Sequence, residues 1–205
     1  INLGDNNVTA MVNALQTALP AGGIIINTIN GDTNTAFFTM LKARGLTNAA
    51  GYPVMSMSIG EPEMADIGAA NLAGHYASWN YFQSLSSPAN NAFRSRFESR
   101  FGKDVVTSDP MEATYILLHM WAIGVRGALT TSPMVVRDWL EQNEPTFDAP
   151  EGRVQLLSNH HLVKYAGIAQ FSANGTLDVV HTDPLAVPPD PWSQQIVNNA
   201  AYFCD

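Results

Sequence analysis

Residues 22–45, GGIIINTINGDTNTAFFTMLKARG, read as a strand, a polar elbow and an amphipathic helix, and this unit decides the fold. Ile24, Ile25 and Ile26 form an uninterrupted β-branched run, as expected of a strand covered on both faces. Asn30, Gly31, Asp32, Thr33 and Asn34 break it. Gly31 permits a turn with positive φ, and Asp32 or Thr33 suits the cap of the next helix, whose first N–H groups need acceptors. Phe37, Phe38, Leu41 and the stem of Lys42 share a helical stripe that ends at Gly45, a residue type favoured just past a helix C-terminus. Parallel α/β sheets bind ligands outside the carboxyl ends of their strands, which is where this elbow lies.

The unit repeats at once. Residues 52–59 read as a second buried strand, Gly60-Glu61-Pro62 as a second elbow, and residues 63–72 as a second helix opened by a proline and acids. Right-handed crossovers put consecutive elbows on one sheet edge, so Asn30, Asp32, Ser58 and Glu61 are expected to converge on one crevice. Amide, carboxylate and hydroxyl groups suit a small polar solute, uncharged or cationic, better than a phosphate. The competing reading makes Asp32 and Thr33 plain helix caps and Glu61 a plain first-turn acid.

A chain of 205 residues can bury a sizeable core in one large or two small domains. With 14% charged and 46% apolar residues it is globular in class. Its formal charge of -8 and scattered cations argue against a nucleic-acid partner, which requires clustered Lys and Arg. No apolar run approaches the roughly 18–20 residues of a membrane span, so no membrane insertion is expected. The longest, residues 115–125, is interrupted by His119 and Gly124. Cys204 is the sole cysteine, which leaves no intrachain disulfide and no reading of redox compartment. The start at Ile1 fits either a processed export leader or, with the larger share, a piece of something longer.

Residues 74–82 alternate as a strand would, with Trp79 and Tyr81 on one face and Asn80 and Phe82 on the other. Such aromatics box a flat ligand or fill a core. Ser87 and Pro88 open a helix running to residue 101, and Gly102 stops it. Asp109, Pro110 and Glu112 read as a capping box, followed by an apolar stripe of Tyr115, Leu118, Trp121, Ala122 and Val125. On that reading Glu112 is explained as a cap. A helix over residues 133–143 precedes short strands at 152–156, 165–171 and 177–181, with Asn174-Gly175 marking a hairpin and residues 184–191 an extended proline-rich strap. The five histidines show no HExxH spacing, and neither GxSxG, P-loop nor GxGxxG occurs. No catalytic residue, metal site or cofactor is therefore expected, and the chain does not read as an enzyme.

The segments INTINGDTNTAFF, PVMSMSIGEPEM, GHYASWNYFQS, SDPMEATY and SNHHLVKYAGIAQF, in that order, closely resemble the C-terminal half of type I periplasmic binding proteins. Within that group the chain resembles the urea and short-chain amide branch, which holds urea ABC-transporter binding proteins and an amide-sensing regulator. The resemblance runs through residues 7–192. It implies an α/β fold of Rossmann-like parallel sheets with helices on both faces, in an incomplete two-lobe architecture whose lobes close on solute. Residues 1–72 would begin the C-terminal lobe, 73–157 would belong to the N-terminal lobe, and 158–205 would return to the C-terminal lobe.

The elbow of Asn30, Asp32 and Thr33 resembles the loop that holds the ligand's amino end in that family, with Asp32 first. Ser58, Gly60 and Glu61 match the next loop, and Trp79, Asn80 and Tyr81 match the region after the hinge. The absence of a basic elbow fits urea or a small amide, with an amino acid less favoured. The function implied is solute capture, without chemical conversion, for the permease of an ABC importer in the periplasm. The alternative is a cytoplasmic amide-sensing regulator acting through a partner protein. A piece lacking its partner strands is also expected to be prone to homo-oligomerise.

Overall fold

The β-branched run at residues 24–26 overlaps a strand that starts one residue later and ends at Asn27, the first of a five-stranded sheet with two kinds of neighbour pairing. The structure, a computed structural model, describes residues 4–191 and 193; Cys204 lies outside them. Helix α1 (Thr9–Ala18) leads into β1 (Ile25–Asn27), α2 (Thr33–Ala43) and β2 (Val54–Ser56). Two short helices, α3 (Glu63–Ile67) and α4 (Ala69–Leu72), precede β3 (Tyr76–Trp79). Strands β1, β2 and β3 are parallel, and β3 pairs antiparallel with β7 (Gly167–Phe171), which turns back into β8 (Leu177–Thr182).

Between β3 and β7 the chain leaves this sheet. It forms α5 (Pro88–Phe101), α6 (Asp109–Ala128) and α7 (Pro133–Asn143), then a separate three-stranded antiparallel sheet of β4 (Thr146–Ala149), β5 (Gly152–Leu156) and β6 (Leu162–Val163). Two cores result. Phe37, Phe38, Leu41, Val54, Ile59 and Leu72 anchor the larger, and Ile116, Met120, Ala149 and Val154 anchor the smaller. The hairpin at Asn174-Gly175 forms as its sequence predicts, with Gly175 at φ +85°. The 184–191 strap is held in part by backbone bonds in both directions between Lys164 and Val187.

The elbows take their shape from a polar network that the sequence reading did not single out. Asn27, on β1, donates from Nδ2 to Asn34 Oδ1 (2.9 Å) and Ser56 Oγ (3.2 Å), while its own Oδ1 accepts from Ile29 N (3.0 Å). Asn34 then donates to the carbonyls of Ile29 (2.8 Å) and Gly31 (3.1 Å). Asn27, Asn34 and Ser56 are all buried, so these bonds satisfy backbone groups that water cannot reach. Gly31 adopts φ +72°, as the turn requires.

Several expectations need correction. Strand β1 is not covered on both faces: Ile25 is buried, but Ile24 and Ile26 are 72% and 59% exposed, since the period of two sends them to a face that no described helix covers. The helix expected over 63–72 breaks at Gly68, whose φ of +87° ends α3 and starts α4. The buried stripe of α6 is Glu112, Ile116, Met120 and Gly124; Leu118 and Trp121 lie on exposed surface, so the expected stripe was out of phase. Glu112 caps nothing either, since its buried carboxylate faces Lys164.

Substituting Asn34 by Ala leaves the Asn27 amide and two carbonyls short of partners in a buried site. The expected cost is about 1–3 kcal/mol of folding stability, read as a lowered urea midpoint with unchanged slope.

Candidate functional site

Because β1 and β2 run parallel in register, Ile25 beside Val54 and Asn27 beside Ser56, the elbows that follow them emerge on the same sheet edge. Ser58 ties them together by donating its hydroxyl to the Ile29 carbonyl. In the second elbow, Glu63 Oε2 accepts from Gly60 N (2.8 Å) and Trp79 Nε1 donates to Ile59 O (2.8 Å), which sets the indole as a wall beside the loop.

A cavity of about 170 Å³ opens at this edge. Asn30, Ser58, Gly60, Glu61 and Trp79 line one side of it, as the strand-edge argument predicts, together with Met57 and Glu63. The N-terminus of α6 closes the other side with Ser108, Asp109 and Pro110. Among the described residues no Lys, Arg or His lines it. A larger, open groove of about 760 Å³ runs along the outer surface of α2 from Asp32 to Ala43, bordered by Asn6 and Val8 ahead of α1 and by Asp66 of α3.

The remaining residues singled out from sequence lie elsewhere. Asp32 is exposed, caps no N–H of α2, and lines the open groove and a smaller one shared with Glu63 and Asp66. Thr33 is fully buried in the first turn of α2, and its hydroxyl has no hydrogen-bond partner. Asn80 is occupied in linking segments: its N–H donates to Asp109 Oδ1 (3.1 Å) and its amide to the Tyr165 carbonyl. Tyr81 belongs to the interior, its hydroxyl bonded to Asn90 Oδ1 (2.9 Å) and Thr107 Oγ1 (2.7 Å). The two sides of the cavity meet through Asp109, which sequence reading had taken for a helix cap.

Burial pushes the Glu61 carboxyl up to about 7; a bond from Gln83 N (2.6 Å) favours its charged form, while the charges of Glu63 and Asp109 oppose it. Behind the cavity, Lys164 Nζ lies 3.2 Å from Glu151 Oε2 and 3.6 Å from Glu112 Oε2, with both carboxylates fully buried. Glu112 is thus a buried ion-pair partner instead of a cap. Burial raises Glu112 to about 7 and Glu151 to about 8, because one ammonium cannot compensate two buried carboxylates. Burial acts on Lys164 in the opposite sense, yet the charges of Glu151 and Glu112 outweigh it and hold the ammonium above its ordinary range. Among the described residues no cluster of three or more His, Cys, Asp or Glu has metal-binding form.

A family model described as a periplasmic binding protein domain matches residues 1–198. Among solved structures, an ABC-transporter solute-binding protein from Rhodopseudomonas palustris, in complex with p-hydroxybenzoic acid, superposes with a TM-score of 0.78 at 17% identity over 92% of this chain and 51% of its own. A leucine-binding protein from Thermotoga maritima gives a TM-score of 0.72 at 16% identity over 92% and 51%. A protein named limonene hydroxylase, from Geobacillus stearothermophilus, is 30% identical over 135 residues, 66% of this chain and 24% of that protein. The chain thus spans about half the length of the solved structures it matches and a quarter of the curated relative.

The raised carboxyls make stability pH-dependent. Their folded pKa values lie above the ordinary 4.5, so the contribution is fully present below pH 4.5 and is lost as pH rises through about 7 to 8. Glu61→Gln keeps an acceptor for Gln83 N and removes one such titration. The expected outcome of denaturant unfolding across this window is a shallower fall in stability, by on the order of 2 kcal/mol.

Proposed function

The chain belongs to the periplasmic binding protein domain family, and on that premise we propose that it forms part of a solute-binding protein that captures urea or a short-chain amide for an ABC importer. One observation carries the solute class: the cavity presents the Asn30 amide, the Ser58 hydroxyl and the carboxylates of Glu61, Glu63 and Asp109, with no Lys, Arg or His among the described residues that line it. Such acceptors match a solute rich in N–H donors and oppose one with its own carboxylate, such as the p-hydroxybenzoic acid of the Rhodopseudomonas complex. Size agrees, since about 170 Å³ falls below the roughly 300–1,000 Å³ of pockets for drug-sized ligands.

We assign residues through Trp79 and from Gly167 onward to one lobe and the intervening residues to the other, which the membership of the two sheets supports; the sequence expectation drew these divisions a few residues earlier, at 73 and 158. The solute is held between the elbows and the start of α6 and released unchanged. The permease of an ABC importer is the partner, and the periplasm the compartment. Relatives that are ABC solute-binding proteins favour this reading over an amide-sensing regulator.

Calorimetric titration of the full-length protein with urea, acetamide, leucine and 4-hydroxybenzoate tests the proposal. Heat is expected with urea or acetamide and not with the two acids; the reverse pattern, or silence from both amides, overturns it. Asn30→Ala is expected to weaken binding by about 1–3 kcal/mol. Asp32→Ala, on the neighbouring grooves, is expected to change it by less than about 0.5 kcal/mol.

A further inference from the structure

The chain passes between its two sheets twice, and both passages meet at one place. Going out, Asn80 and Tyr81 donate their backbone N–H groups to Asp109 Oδ1 (3.1 and 2.9 Å). Coming back, Lys164 sits between β6 of the small sheet and β7 of the large one. Its side chain reaches Glu112 on α6 and Glu151 at the β4–β5 turn, both within the unit built on the small sheet. Its backbone bonds in both directions to Val187, in the strap that follows β8 of the large sheet. Lys164 therefore grips one unit by its side chain and the other by its main chain.

We propose that Lys164 is a positioning residue: its ammonium, held between the buried carboxylates of Glu112 and Glu151, sets the angle between the five-stranded and three-stranded units and so the width of the cavity between the elbows and α6. The geometry supplies the leverage, because Asn30, Ser58 and Glu61 stand on one unit and Ser108 and Asp109 on the other. It also supplies the sensitivity. Glu112 Oε2 and both carboxylate oxygens of Glu151 are buried with no other hydrogen-bond partner among the described residues, so the nearby ammonium, at 3.6 and 3.2 Å, is the attraction that offsets part of their burial. Asp109, the other acid facing the group, is already engaged by the outgoing segment.

The inference rests on the proposed solute cleft only for its consequence on binding, and the test separates the two. Spin labels at Ala43→Cys on α2 and Gln142→Cys on α7, both exposed positions, report the distance between units in a Cys204→Ser background. The unmodified clamp is expected to give one narrow distance distribution. Lys164→Met, which keeps the stem and removes the charge, is expected to lose it and to speed amide exchange at Asn80 and Tyr81. A folded Lys164→Met protein with an unchanged distribution overturns the proposal. If that variant does not fold, the Glu112→Gln/Glu151→Gln double variant, which strands no buried carboxylate, is read the same way: broadening supports the clamp and a wild-type distribution overturns it. Titration with urea and acetamide then judges the solute reading separately, since a clamp that broadens on mutation in a protein that binds neither amide leaves the clamp standing and removes the solute.

Discussion

Where β3 ends, two consecutive backbone N–H groups, those of half-buried Asn80 and buried Tyr81, leave the sheet, and the structure depends on the single carboxylate that accepts both. Asp109 Oδ1 takes the N–H groups of Asn80 and Tyr81 and so joins the exit of the large sheet to the first turn of α6. Buried donors without acceptors cost more than most contacts return, so this junction determines where the second unit begins. The Asn80 amide bound to the Tyr165 carbonyl, and the Trp79–Gly167 pairing, draw the returning segment to the same point. One crossing is thereby built on the other.

The electrostatics follow from that junction. Gathering Asp109, Glu112 and Glu151 around the crossing concentrates negative charge, and Lys164 is the cation that answers it from the returning segment. Among the described residues no Lys, Arg or His lines the cavity beside Glu61, Glu63 and Asp109. Burial raises the Glu61 carboxyl, with the charges of Glu63 and Asp109 adding to it. Asp109 alone belongs to both groups, binding the outgoing segment on one side and lining the cavity on the other.

Much of the fold was legible because local rules and tertiary demands agreed. The strand–elbow–helix unit, the Ser87-Pro88 helix start, the Asn174-Gly175 hairpin and the α7 bounds all rest on turn chemistry and capping within a few residues. Reading failed where a second segment intervenes. The sequence near α6 offers Asp109 and Glu112 as an ordinary capping pair, yet Asn80 claims the first and Lys164 the second, each from a distant part of the chain. The α6 stripe was misphased for a related reason: its buried face carries Glu112, which hydropathy scores as surface, so the periodicity was assigned to the neighbouring Leu118 and Trp121. In the elbow, Asn34 looked like one more loop residue, whereas burial makes it the centre of the network.

The sequence by itself determined the order of elements, the shared edge of the two elbows and the presence of Asn30, Ser58, Glu61 and Trp79 there, because parallel pairing and right-handed crossover leave little choice. Only the tertiary structure decided which polar groups remain available at that edge. Asp32 turned toward open grooves, Tyr81 entered the core, and Asp109 arrived from α6 to complete the cavity wall. The reason is that a side chain's availability depends on who else needs its hydrogen bonds, and those competitors come from segments far away in the chain.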